Sequence, residues 1–234
     1  MSSILVLVAI NKIPTDSKPT NKHEMKKLLI LAAMTLTLLS FRDQRVSFSG
    51  KLVYVNTFAD LKNNDITESM VSFFGSENNY FINDSNYKAY NENNNLLYLY
   101  NSATNMYYSC DVDKKTAEKI NAETITAKKI KIKALNDKET ICGYECSSIE
   151  VKTESGTTVY FFTPSIVIDK TNYSNHNYGE WNSCLSATNG AVPLKIVYTD
   201  KKEGYVWTCK AKEVTKLNLT GKDFEFPSDI KIMK

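Results

Sequence analysis

Glycine and proline are scarce, eight and five among 234 residues. That excludes a collagen-like or low-complexity chain. Histidine is scarcer, with only His23 and His176. No Gly-x-Ser-x-Gly, His-Glu-x-x-His, P-loop or Cys-x-x-Cys spacing occurs. The usual signatures of esterase, zinc-protease, nucleotide and thiol-redox chemistry are therefore missing. The net charge of +3 comes from residues 1–40, where Lys12, Lys18, Lys22, Lys26 and Lys27 face only Asp16 and Glu24. The remainder is neutral, so it lacks the basic footprint that a nucleic-acid binder needs.

Long apolar runs are lacking too. The longest, residues 28–39, is short for a membrane span, which needs roughly 20 residues. It follows Met25-Lys26-Lys27, is apolar all round and gives way to Ser40 and a polar stretch. That order predicts a secretory signal peptide at 25–40. Translation is then expected to start at Met25, with residues 1–24 a mis-assigned upstream segment and 41–234 one β-rich domain. No cysteine lies near the end of the run, so no lipobox is expected and the product reads as a soluble periplasmic protein.

What the chain does have is aromatic side chains, 14 Tyr and ten Phe, which suit pleated, half-buried strands. Residues 128–163 read as three consecutive antiparallel strands. Ile130, Ile132 and Ala134 alternate with Lys129, Lys131 and Lys133; Ile149 and Val151 alternate with Ser148, Glu150 and Lys152. The third strand is apolar on both faces through Val159, Tyr160, Phe161 and Phe162. Further strands are expected at 46–54, 70–74, 79–83, 87–90, 96–100, 105–110, 192–199 and 205–214. One or two helical turns are expected at 116–125. Residues 169–190 break the alternation and predict a long loop or a short helix near 179–187, the kind of insertion that makes lids and binding loops. About ten closely spaced strands predict a mainly β fold, a strongly curved sheet wrapped around an insert.

Four segments carry a family resemblance: Ile141-Cys142-Gly143-Tyr144-Glu145-Cys146, Val159-Tyr160-Phe161-Phe162-Thr163, Val192-Pro193-Leu194-Lys195-Ile196 and Phe224-Glu225-Phe226-Pro227-Ser228. In their order and spacing the chain resembles the LolA/LolB lipoprotein-carrier-like superfamily, in particular its exported Bacteroides-type relatives, lipoprotein-sorting-like or GLPGLI-like. The resemblance implies an open antiparallel half-barrel with short helices or loops over its concave face. In the carriers that cavity takes acyl chains. This chain departs from them in its five cysteines and fewer helices, and no binding residue is carried over.

The cysteines are Cys110, Cys142, Cys146, Cys184 and Cys209. In an oxidising envelope disulfides are the leading reading. Cys142 could meet Cys146 across a turn, and Cys184–Cys209 would staple the insertion to the sheet. A meander placing 105–110, 128–135 and 146–153 side by side sets Cys110 and Cys146 at opposite ends. A zinc site from the last four is disfavoured by the three-residue gap. A Cys184–His176 nucleophile pair has nothing to align it, and His176 among asparagines reads as a solvated loop residue. Neither a metal nor a cofactor is expected. The aromatics Tyr98, Tyr100, Tyr107, Tyr108, Tyr160, Phe161, Phe162, Tyr205 and Trp207 read either as core or as a cavity lining. The ligand-facing candidates are Tyr160, Phe162, Trp181 and Trp207. Three functions follow: a non-enzymatic envelope protein binding a lipid or acylated peptide; a structural module contacting another envelope protein; and an exported hydrolase.

Overall fold

The structure, a computed structural model, describes residues 47–233. The expected upstream segment, the signal peptide and Val46 lie outside the described residues. Twelve strands form one open, curved, mainly antiparallel sheet. They are β1 (Gly50–Asp60), β2 (Glu77–Ile82), β3 (Asn86–Asn91), β4 (Leu96–Asn101), β5 (Met106–Asp111), β6 (Thr116–Asn121), β7 (Lys131–Ile141), β8 (Tyr144–Lys152), β9 (Gly156–Val167), β10 (Ala191–Asp200), β11 (Tyr205–Lys216) and β12 (Lys231–Met233). Their spatial order is β12-β6-β5-β4-β3-β2-β1-β11-β10-β9-β8-β7. Each neighbouring pair is antiparallel except β12 with β6. Two short α-helices accompany the sheet, α1 (Thr67–Phe74) and α2 (Trp181–Ala187).

Several expectations need correction. Residues 70–74 belong to α1, not to a strand. A short apolar run does not distinguish the two, and here Asp65 Oδ1 accepts from the Thr67 N–H at the helix start, with Glu68 in the first turn. Residues 116–121 form β6 rather than helical turns. They complete a hairpin with β5, and Ala117, fully buried, sits opposite Cys110. The expected meander fails as well. β5 and β7 lie in opposite halves of the sheet, joined by residues 112–130. Strand β7 is one edge of the sheet, and Ile132 there remains 45% exposed instead of facing a dry side.

The β7–β8 hairpin turns through Cys142 and Gly143, both at positive φ (50° and 80°), the left-handed pair that matches strand twist. Its tip folds across the outer face. Glu139 Oε2 accepts from Lys195 Nζ on β10 at 2.7 Å, and Oε1 lies 2.8 Å from Lys210 Nζ on β11. Lys195 Nζ also sits 4.9 Å from the Phe161 ring. Desolvation pushes the Glu139 carboxyl up, but the hydrogen bonds and charges of the two lysines outweigh it and hold it below its usual range.

The core lies between the other face and the insertion at 168–190. The insertion begins and ends between paired strands, since Val167 pairs with Ala191, and the Ile168 N–H donates to Gly190 O at 2.9 Å. Gly190, at φ +85°, permits this closure; a Cβ there would meet Ile168 O at 2.5 Å. From this closure the insertion arches over the β2–β6 half and is fastened to it. Tyr173 donates to Asn83 O, Asn172 Nδ2 to Asp84 O, and the Asn177 and Tyr178 N–H groups to Ala122 O.

His176 is driven into the sheet rather than solvated. It is 0% exposed, 4.1 Å centroid to centroid from Tyr100 and 5.7 Å from Tyr87. Its Nε2 lies 2.7 Å from the Tyr87 hydroxyl, and its Nδ1 has no hydrogen-bond partner among the described residues. Burial lowers its pKa from 6.5 to about 4. Trp181 completes this stack, 5.2 Å from Tyr87.

The charge states of His176 and Glu139 each give a measurable outcome. His176 stays neutral when folded, whereas the unfolded chain protonates it near pH 6.5. Its stabilisation is therefore full above that pH and falls as pH drops toward about 4, by about 3 kcal/mol in all. Urea unfolding between pH 5 and 7 should show stability rising with pH. In His176→Phe that slope should vanish, and an unchanged slope would assign it to another group. Glu139→Gln should cost about 1 kcal/mol, less at high salt, because both lysines lose their anion. Its effect should disappear on acidification, since a depressed carboxyl stabilises only while ionised. Unfolding titrations in low and high salt at pH 7, and again well below the usual carboxylate range, measure both effects.

Candidate ligand-binding cleft

Beyond the fastened half, the insertion leaves part of the sheet open. On β8, β9, β10, β11 and β1 the register builds two parallel rows across that face. One runs Ile149, Tyr160, Ile196, Cys209, Asn56; the other runs Val151, Thr158, Tyr198, Trp207, Phe58. Side chains in one row point the same way because strand neighbours share a face. The middle of these rows is the floor of a cleft of about 320 Å³. Its walls are Tyr98 from β4 and the Gly179–Glu180–Trp181–Cys184 side of the insertion. The volume is at the lower end of the range typical of small-molecule sites.

The rings that line it are half-buried yet held in place. Trp207 Nε1 donates to Oδ1 of buried Asn56 at 3.0 Å. Trp181 stacks on Tyr80 at an interplanar angle of 4°. The Tyr198 hydroxyl donates to Asp200 at 3.3 Å. Burial, then the neighbouring Cys184, then the charge of Glu180 push the Tyr160 hydroxyl up. Tyr160 therefore stays neutral and feels the Glu180 carboxylate. Glu180 is fixed in its turn. It occupies the left-handed region (φ 58°) and accepts from the Thr126 hydroxyl at 2.9 Å, while the Gly179 N–H donates to the same Thr126 oxygen.

Of the four ligand-facing candidates, Tyr160, Trp181 and Trp207 meet in this cleft and Phe162 does not. Phe162 lies farther along β9, opposite Pro193 and Ser147. The other aromatics divide between roles. Tyr100 is core, Tyr98 lines the cleft, Phe161 lies on the outer face under Lys195, and Tyr108 packs on Phe226. Of the cleft residues, sequence reading missed Tyr198 and also Glu180. The signal of Glu180 is a backbone conformation and a contact 54 residues away, neither of which composition reveals.

All five cysteines are free thiols, so neither anticipated pairing is formed. Cys142 occupies the hairpin turn while Cys146 pairs with Glu139 on β7. Burial pushes Cys184 and Cys209 up to about 12. A Cys184–His176 ion pair would need the opposite shifts, a lowered thiol and a raised imidazole. Among the described residues no three His, Cys, Asp or Glu side chains gather where they could hold a metal ion, and no helix is long and apolar enough to cross a membrane.

Solved structures similar to this fold include three of different kinds. An uncharacterized conserved protein from Thermus thermophilus is 8% identical over 86% of this chain and 98% of its own, with a TM-score of 0.42. PNGF-II is 14% identical over 80% of this chain but only 31% of its own, with a TM-score of 0.45. A LolA superfamily protein from Nitrosomonas europaea is 9% identical over 77% of this chain and 91% of its own, with a TM-score of 0.35. No curated protein matches the chain in sequence. A family profile does: residues 88–230, from β3 to the residue before β12, match the domain of unknown function DUF4412, and the chain belongs to that family.

Proposed function

We propose that this chain is an exported, non-enzymatic protein of the cell envelope that binds a hydrophobic or lipid-like ligand in the aromatic cleft. The observation that carries the reading is the set of half-buried rings of Tyr98, Tyr160, Trp181 and Trp207 around about 320 Å³. An aromatic ring with one face left uncovered keeps part of the burial free energy in reserve, and a ligand that covers it gains roughly 25 cal/mol for each Å² removed from water. The resemblance of four sequence segments to lipoprotein carriers supports the same role, with a lipid or acylated peptide as partner. Export rests on the charged and apolar pattern of residues 25–40. The reading as a carrier rather than a hydrolase rests on the raised thiols and on His176, whose Nε2 is engaged by Tyr87.

A structural or protein-interaction module without a small ligand is the second reading. The uncovered edge of β7 favours it, because Ile130 and Ile132 are exposed there among lysines. Such an edge offers unpaired backbone groups to another strand.

The two readings separate in a titration with the neutral dye Nile red, followed by native mass spectrometry of the protein from its own envelope. The carrier reading expects saturable, blue-shifted binding and a co-purifying lipid or acylated peptide. Ile196→Trp, which fills the floor between Tyr160 and Cys209, should weaken dye binding at least about tenfold. Equal binding by this variant would remove the cleft from the argument. A wild-type protein that takes up neither dye nor lipid would leave the interaction module.

A further inference from the structure

The cleft is lined by five aromatic side chains and one carboxylate, with no lysine or arginine. We infer that its ligand carries an alkylammonium group, held against the rings of Tyr160, Trp181, Tyr198 and Trp207 with Glu180 as counter-charge. This rests on the proposed binding role of the cleft and gives it a chemical class.

Leucine and isoleucine would also serve a cleft built only for hydrocarbon. The aromatic faces carry negative potential and attract a cation, most strongly where water is excluded. Quaternary ammonium groups suit such faces because they are large, apolar at their methyl surface and unable to donate hydrogen bonds. Tyr198 and Trp207 have their polar atoms turned to Asp200 and Asn56. Rings so anchored present fixed faces, so little side-chain freedom is lost on binding.

Glu180 supplies the second observation. A non-glycine residue in the left-handed region is disfavoured, and here that backbone places a carboxylate at the wall of an aromatic cleft. Thr126 occupies one carboxylate oxygen, Oε1. No described hydrogen bond or ion pair takes the other oxygen, Oε2. No basic side chain lining the cleft neutralises it. The same fold already places a cation among rings elsewhere: Lys88 Nζ lies 5.1 Å from Tyr90, 5.6 Å from Phe81 and 5.9 Å from Phe224. There the cation is a residue of the chain; in the cleft no residue supplies it.

The test compares choline with 3,3-dimethyl-1-butanol, its neutral isostere, by isothermal titration and tryptophan fluorescence on the mature protein. Choline is expected to bind at least about tenfold tighter. Glu180→Gln should erase most of that preference, with far-UV circular dichroism and the melting temperature as the check on its folding. Dodecyltrimethylammonium below its micelle concentration then separates the sources. Binding far tighter than choline identifies a lipid-type cation, and equal binding identifies a free one. Equal affinity for choline and its isostere, a preference that survives Glu180→Gln, or binding of neither while Nile red still binds would overturn the inference. In that last case the hydrophobic cleft would stand. Loss of Nile red binding by the wild-type protein would instead sink the binding role itself.

Discussion

An open sheet leaves one apolar face without a partner sheet, and the rest of this structure depends on how that face is covered. Residues 168–190 do the covering. They carry no strand and only short helical segments, so many of their backbone polar groups need partners outside regular structure. Some find them on the rims of the sheet, where the Asp169 N–H donates to Asp84 Oδ1 and the Asn177 and Tyr178 N–H groups to Ala122 O, and the Tyr173 hydroxyl and Asn172 Nδ2 add side-chain bonds to Asn83 O and Asp84 O. Side chains then fill the interior beneath: Tyr173, His176 and Leu185 are almost wholly buried. Each aromatic contact adds only about 0.5–1.5 kcal/mol beyond its area. Tyr87 alone meets Tyr80, Tyr100, Tyr173, His176 and Trp181 within 6.5 Å. The cover and the β2–β5 strands are thus one cooperative aromatic layer.

That layer explains why a polar ring sits in its centre. A histidine here is smaller than Tyr or Trp and packs against both Tyr100 and Tyr87, which stack on each other. Its Nε2 also answers the Tyr87 hydroxyl, which would otherwise be buried without a partner at a cost of about 1–3 kcal/mol. The unsatisfied Nδ1 is the cost of the arrangement, and burial keeps the imidazole neutral. The sequence around it, Ser174-Asn175-His176-Asn177, reads as solvent-facing, and both asparagines do spend their backbone at the rim. What drives His176 inward is a partner 89 residues away, which local composition cannot report.

The same division runs through the fold. Strands that show one wet and one dry face announce themselves by alternation. The Tyr205, Trp207, Cys209 face of β11 is legible in this way, and so are the ends of the hairpins at residues 91–95 and 102–104. β6 is not legible, because Thr-Ala-Glu-Lys-Ile-Asn favours helix locally and becomes a strand only through pairing with β5. β7 shows alternation but no dry face, because alternation says nothing about whether a neighbour exists; at the sheet's edge there is none. For the cleft, Tyr160, Trp181 and Trp207 could be named as large aromatics on strands or in the insertion. Their convergence depends on the lateral register of three strands, and Phe162, equal to Tyr160 in strand parity, lies too far along β9 to take part.

Why the cleft lies where it does follows from the fastening of the cover. Its rim hydrogen bonds all fall on the β2–β6 half of the sheet and its turns. Among the described hydrogen bonds, none ties residues 174–187 to β10 or β11. Over β2–β5 the rings are sealed against the insertion and act as core. Over β9–β11 the insertion supplies one wall, at Glu180, Trp181 and Cys184, and the floor rings remain half-open. Core and cleft are therefore the same aromatic face divided by the reach of one segment. Trp181 stands at the division, stacked on Tyr80 and Tyr87 on one side and facing the cleft on the other. A ligand that presses on Trp181 acts directly on the stack that holds His176. Occupancy of the cleft and stability of the cover are then linked, since whatever binds only the folded arrangement stabilises it in proportion to its affinity.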